Sequence, residues 1–169
     1  AIPAAIHIET GEVAAARREV PLNRLRETAE ARRDVRPFFE ALNAPGASGV
    51  NIIAEIKRAS PSKGVIRKNL DAGRLAAVYA AGGARAISVL TEKRFFLGSA
   101  DDLKQARLAS GLPVLRKDFI FCDYQLYESA AMGADAVLLI VRILDQQRLV
   151  DLIQLASSLK LAALVEIYT

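Results

Sequence analysis

Five short apolar runs, separated by stretches of helical spacing, constrain this 169-residue chain more than any other feature. The runs are Val50 to Lys57, Ala86 to Leu90, Pro113 to Lys117, Ala136 to Ile140 and Ala162 to Glu166. Between them Leu70 to Ala81, Asp101 to Ser110, Asp123 to Met132 and Asp145 to Leu159 carry apolar residues at helical intervals. Strands apolar on both faces that alternate with helices predict a buried parallel sheet of right-handed βαβ units, an α/β fold. Local punctuation agrees. Ser99, Asp123 and Asp145 stand where helices should start, and Gly82-Gly83, Gly111 and Gly133 stand where they should stop.

The region before the first strand reads differently. From about Glu12 to Leu42 the apolar markers Val13, Leu22, Leu25, Ala29, Phe38, Phe39 and Leu42 are interrupted by Pro21 and Pro37, which predicts two or three short helices. A loop from Asn43 to Gly49 then leads into the sheet. The expected organisation is a helical extension over residues 1–44 and an α/β body over 45–169.

Composition removes several function classes. With 52% hydrophobic residues, 25% charged and no apolar stretch near the ~18 residues a membrane span needs, the chain reads as globular, without a membrane segment. Cys122 is the sole cysteine, so neither an internal disulfide nor a cysteine zinc site is expected, and the N-terminus lacks signal-peptide patterning; a reducing, cytoplasmic setting is expected. Residues 1–44 balance seven Arg against seven acids, so the net charge of +4 arises after them. Its densest part is Lys57, Arg58, Lys63, Arg67 and Lys68. Such a run suits either a solvated loop or a small anionic ligand. Nucleic acid is not expected, because aromatics that would stack on bases are not interleaved with it.

An open doubly wound sheet and a (β/α) barrel both satisfy the βαβ pattern. No GxGxxG or Walker A pattern follows the first strand, which weakens the nucleotide-binding version. Strand ends favour the barrel. Side chains alternate along a strand, so Glu55 shares a face with Lys57, Leu115 with Lys117, and Leu164 with Glu166. Any one of these charges could mark a strand leaving the core. Lysines and glutamates gathered at the C-terminal ends of three strands instead suit proton transfer, a lysine as acid, a glutamate as base and a second lysine anchoring an anion. The loop Arg58 to Gly64 adds hydroxyls and cations, and is also adequate as an ordinary turn.

At these positions the sequence resembles indole-3-glycerol phosphate synthase of tryptophan biosynthesis. The resemblance rests on Ala54-Glu55-Ile56-Lys57-Arg58-Ala59-Ser60-Pro61-Ser62-Lys63-Gly64, on Ser88 to Glu92 followed by Phe95 to Ser99, on Leu115 to Ile120, on Gly133 to Ile140 and on Ala163 to Glu166. It implies a (β/α)₈ TIM barrel with an N-terminal helical extension, of which this chain holds about the first five strands. It also implies a cofactor-free, metal-free lyase that closes the indole ring of 1-(2-carboxyphenylamino)-1-deoxyribulose 5-phosphate with loss of carbon dioxide and water. By resemblance Lys117 is the general acid at the substrate's ketone oxygen and Glu166 the general base. Lys57 contacts the anionic substrate and is a second candidate proton donor, while Glu55 orients both ammonium groups. Ser60 matches a polar contact, and Leu90, Phe96, Phe119 and Leu138 match an apolar wall around the anthranilate ring. Plain core packing is the alternative for the two Phe residues.

Other residues carry weaker signals. His7, the only His, reads as an exposed terminal residue, and Cys122 as structural. Tyr168 departs from the family's usual His. From Asn51 onward there are 119 residues, against ~250 in a typical barrel. An incomplete barrel of this kind is expected to lack its phosphate loops, to be inactive alone and to self-associate through open sheet edges. Two alternatives remain open, a non-catalytic self-associating half-barrel and another phosphosugar-barrel enzyme.

Overall fold

The computed structural model describes residues 2–46 and 49–167, so Tyr168 and part of the 43–49 loop lie outside the described residues. Three helices come first, α1 (Ile2–Glu19), α2 (Leu22–Ala31) and α3 (Phe38–Asn43). The body follows as β1 (Ile53–Ile56), β2 (Ala59–Ser60), β3 (Gly64–Val65), α4 (Ala72–Ala81), β4 (Ala86–Leu90), α5 (Ala100–Ser110), β5 (Val114–Lys117), α6 (Asp123–Met132), β6 (Ala136–Ile140), a 3₁₀ turn over Val141–Ile143, α7 (Gln146–Ser158) and β7 (Ala162–Glu166). Five strands form one parallel sheet in the order β1-β4-β5-β6-β7. The α/β expectation therefore holds. Strands β4, β6 and β7 and helix α6 have the predicted limits.

Three expectations need correction. The helical arm starts at Ile2, not near Glu12, and its first helix has 18 residues. His7 consequently lies within α1, although it is exposed as expected. The first strand is confined to Ile53–Ile56, whose register with β4 starts at Ile53 opposite Ala86; just before it the Ile52 carbonyl accepts from Arg85 N at 2.9 Å, and the Asn51 side chain donates to the carbonyls of Leu42 and Ala44. The loop after it is a small antiparallel hairpin in which Ala59 pairs with Val65 and Ser60 with Gly64.

Capping explains most helix limits. Asp71, Ser99 and Asp145 accept from the backbone amides of Arg74, Asp102 and Arg148 at the starts of α4, α5 and α7. At α6 the cap is Cys122 rather than Asp123, and Gln125 Oε1 reaches back to accept from Cys122 N at 3.3 Å. Gly111 and Gly133 end α5 and α6 in the left-handed region, at φ 69° and 97°, where a Cβ would be strained.

The pleat divides the apolar residues into two layers. Ile56, Ile87, Val89, Val114, Val137 and Leu139 face the helices and form the larger core with Leu103, Leu126 and Leu152. Leu25 and Ala29 of α2 belong to the same core, so the helical arm packs on the body. On the other face Ala86, Leu115 and Ala136 surround Phe38 of α3, which is 2% exposed and plugs the N-terminal end of the inner face.

The arm is tied down by polar contacts as well. Tyr124 Oη donates to Val20 O at 3.1 Å, and Arg17 lies over the Tyr124 ring. Glu9 of α1 is buried against Gln125, whose Nε2 donates to Glu9 Oε1 at 3.2 Å. Burial, reinforced by the nearby Asp118 carboxylate, pushes the Glu9 carboxyl up from 4.5 to about 8.

The sign of the resulting pH dependence is fixed. Between 4.5 and about 8 the docked helix keeps a proton that an undocked one has released, so docking weakens as pH rises through that window. Hydrogen exchange of α1 amides should accelerate between about pH 5 and about pH 9 beyond the intrinsic base catalysis, and Glu9→Gln should flatten that excess. Equal excess protection across the range would contradict the assignment.

Candidate active site

Charged groups gather where the strands end. Glu55 is the third residue of β1 and Lys57 follows the strand, so the pleat places both on the inner face. Lys117 is the last residue of β5, in register with Leu90. The three meet. Glu55 Oε1 accepts from Lys57 Nζ at 2.7 Å, and its Oε2 accepts from Lys117 Nζ at 2.7 Å. Their side chains are 30%, 34% and 35% exposed, so all three remain open to a ligand. Burial works against the charge on Glu55, but hydrogen bonds from Lys117 and Lys57 outweigh it and hold the carboxyl below its ordinary value.

Beside this triad lies a cleft of about 150 Å³, lined among others by Leu90, Phe96, Lys117, Phe119, Leu138 and Glu166. The Phe96 and Phe119 rings stand 6.4 Å apart at 50°. The four apolar residues singled out by resemblance thus share one wall with Lys117. A wider concavity of about 460 Å³ runs along the inner face past Glu55, Ser88, Leu164 and Glu166. Glu166, the exposed last residue of β7, faces the same cleft as Lys117, yet among the described residues its carboxylate has no ion pair or side-chain hydrogen bond. Two ammonium groups and one carboxylate are therefore directly linked, and the second carboxylate stands apart from them.

Two sequence candidates sit differently from expectation. Ser60 is in the hairpin and does not line the cleft; its Oγ accepts from Lys63 N at 3.2 Å. The hairpin reaches the cleft wall through its backbone, where Ala59 N donates to Phe96 O at 3.2 Å. The basic run disperses as well. Arg58 turns away to fork onto Asp102, with Nε 3.1 Å from Oδ2, and it also donates to the Leu70 carbonyl. Lys63, Arg67 and Lys68 are exposed.

Three polar residues near the site escaped the sequence reading. Ser88 is 5% exposed, opposes Glu55 in register and faces the inner concavity, and among the described residues its Oγ has no hydrogen-bond partner. A serine in an otherwise apolar strand, two residues before Leu90, was the available signal. Asp118 accepts from Thr91 Oγ1, from Arg116 Nη2 at 3.0 Å and from Phe119 N at 2.9 Å. Glu92 accepts three backbone amides from residues 94, 95 and 96. Both carboxylates look like ordinary loop charges in sequence, because their partners are set by tertiary structure. Arg116, on the opposite face from Lys117, is fully enclosed; burial opposes its charge, and Asp118 and Glu128 more than offset that and raise its pKa.

Larger depressions, of about 500 and 530 Å³, lie near the N-terminal ends of the strands and contain Arg36 and Arg107. Those guanidinium groups are already used to join chain segments, Arg36 to the carbonyls of Arg107 and Leu112 and Arg107 to Asp34 and Asp135. Among the described residues no group of three or more His, Cys, Asp or Glu could hold a metal ion, and no helix is long and apolar enough to cross a membrane.

Comparison with known proteins places this geometry in a family context. The family model described as indole-3-glycerol phosphate synthase matches residues 4–169. A protein of that name from Desulfosudis oleivorans is 58% identical over 164 residues, covering 96% of this chain and 62% of its own length. Namesakes from Laribacter hongkongensis and Delftia acidovorans are 52% and 50% identical, over 94% and 95% of this chain and 60% and 62% of their own lengths. The chain spans about three fifths of the length of these relatives.

Proposed function

The chain belongs to the indole-3-glycerol phosphate synthase family, and we propose that it carries the acid-base half of that enzyme's active site. Its five parallel strands are consecutive strands of the family's (β/α)₈ barrel, with residues 1–44 as the helical extension and 45–169 as the barrel portion. The observation that carries the reading is Glu55 bridging Lys57 and Lys117 beside a cleft walled by Phe96 and Phe119.

The substrate is 1-(2-carboxyphenylamino)-1-deoxyribulose 5-phosphate. Its aromatic ring lies against Leu90, Phe96, Phe119 and Leu138, where exclusion of water strengthens the neighbouring charges. As the ring carbon that bears the carboxylate attacks the ketone carbon, Lys117 donates a proton to the ketone oxygen and a hydroxyl forms. Carbon dioxide departs and leaves its electron pair in the ring. A second proton, donated by Lys57, lets the hydroxyl leave as water, and removal of a ring proton by Glu166 completes the indole, so two protons given, one taken back, one carbon dioxide and one water balance the reaction with a net uptake of one proton. Lys57 holds the anionic substrate and is the second proton donor, and Glu55 orients both ammonium groups by pairing one oxygen with each. Ser60 reaches substrate only if the hairpin moves toward the cleft. The reaction needs no cofactor, and with a lone Cys122 we place it in a reducing, cytoplasmic compartment.

In the described sheet β1 and β7 each have a neighbour on one side only. Residues 1–169 made by themselves should therefore associate through these edges and the apolar inner face, without turnover. Light scattering that finds a clean monomer would remove this expectation. In the full-length protein Lys117→Ala should lower kcat by roughly 10²-fold or more, read from formation of fluorescent indole product. An unchanged kcat would take Lys117 out of the mechanism.

A further inference from the structure

We propose that Glu92 is a positioning residue that fixes Phe96 as a wall of the cleft and so governs how tightly the substrate's aromatic ring is held, an inference that rests on the function proposed for the cleft. Glu92 follows β4 by two residues and is only 3% exposed, although it carries a carboxylate. Its burial has a specific use. Oε1 accepts from Arg94 N at 2.9 Å, and Oε2 accepts from Phe95 N at 2.7 Å and from Phe96 N at 3.0 Å. Its own carbonyl accepts from Gly98 N at 2.8 Å, so the segment from 92 to 98 is closed on itself at both ends.

The backbone of this segment has little freedom left. Leu97 sits at φ 53°, in the left-handed region that disfavours a side chain, and a Cβ on Gly98 would collide with the Leu90 carbonyl. A leucine held in that region requires surroundings that over-determine it, and the three amide bonds to Glu92 supply them. Phe96 lies between the clamp and the strained residue. Its amide is held by Glu92, its carbonyl by Ala59 N, and its ring faces Phe119 across the cleft. Glu92 itself reaches the cleft lining, but the geometry gives its oxygens to the backbone rather than to a ligand. Sulfur, metal or charge chemistry is not needed to explain its burial; the orphan amides of a tight loop are.

Glu92→Gln is the discriminating substitution, because it preserves shape but replaces one acceptor oxygen with a donor that faces an amide donor. In the full-length protein it should raise KM about tenfold while kcat stays within about threefold, as expected when ring binding is lost equally from ground and transition states. Glu92→Gln combined with Phe96→Ala should be no worse than Phe96→Ala alone, since both act through one ring. Hydrogen exchange should show the amides of residues 94 to 96 losing protection while those of β4 keep theirs. An unchanged KM, additive losses, retained protection or outright unfolding of Glu92→Gln each overturns the proposal. If the wild-type protein shows no ring closure, the functional reading fails, and the exchange measurement alone decides whether Glu92 clamps the loop.

Discussion

The arrangement depends on one buried carboxylate far from the chemistry. Asp135, immediately before β6, is 1% exposed and serves four segments at once. It accepts from Arg32 Nη2 at 2.6 Å, from Arg36 N at 2.9 Å, from Arg107 Nε at 3.2 Å and from Val114 N at 3.0 Å. These contacts join the linker after α2, the end of α5, the start of β5 and the start of β6. A buried charge is tolerable only when it is this fully paired, and removing one partner of such a set costs about 3–5 kcal/mol. The same linker delivers Phe38 to the N-terminal end of the inner face, so the floor beneath the cleft is set by Asp135 through the path of the chain.

Above that floor, strand register converts sequence spacing into chemistry. Ile53, Ser88, Leu115, Leu138 and Leu164 share the inner face, and continuing the alternation brings Glu55, Lys117 and Glu166 to the strand ends. Because the triad is about a third exposed, its ion pairs contribute little to stability. Their value is positional. A single carboxylate with one oxygen on each ammonium fixes both cations at one edge of an apolar cleft and leaves Glu166 uncommitted across it.

Much of this was legible because parallel strands carry a strong local signal. Ala86–Leu90, Ala136–Ile140 and Ala162–Glu166 are apolar, short and bounded by glycine or helix signals, and the structure keeps those limits. Glu55, Lys57 and Lys117 followed from alternation alone. Where the signal is weaker, the limits moved. Helix α1 has no acidic residue in its first turn and contains Gly11, which weakens the helical pattern ahead of Glu12. Residues 50–52 look like strand in sequence, but the ladder with β4 begins only at Ile53 opposite Ala86. The hairpin across Ala59 to Val65 pairs only two residues on each side, too few to leave a pattern. Ser60 was placed by resemblance, and its position depends on how that hairpin lies.

The least legible feature is how the fold divides its carboxylates among different tasks. Glu55, between two ammonium groups, is held in its charged form. Glu9, enclosed near Asp118, Glu12 and Glu92, keeps its proton to about 8. Glu92 and Asp118, equally buried, accept backbone amides and so hold Phe96 and Phe119 in place. Glu166 stays exposed, and among the described residues it has no ion pair or side-chain hydrogen bond. The same side-chain chemistry thus supplies a charge anchor, a neutral contact, two loop clamps and an uncommitted carboxylate at the cleft, and surroundings alone assign these places. A sequence shows which carboxylates exist and which face some of them take, but the amides and cations that each one meets are brought together only when the strands pair.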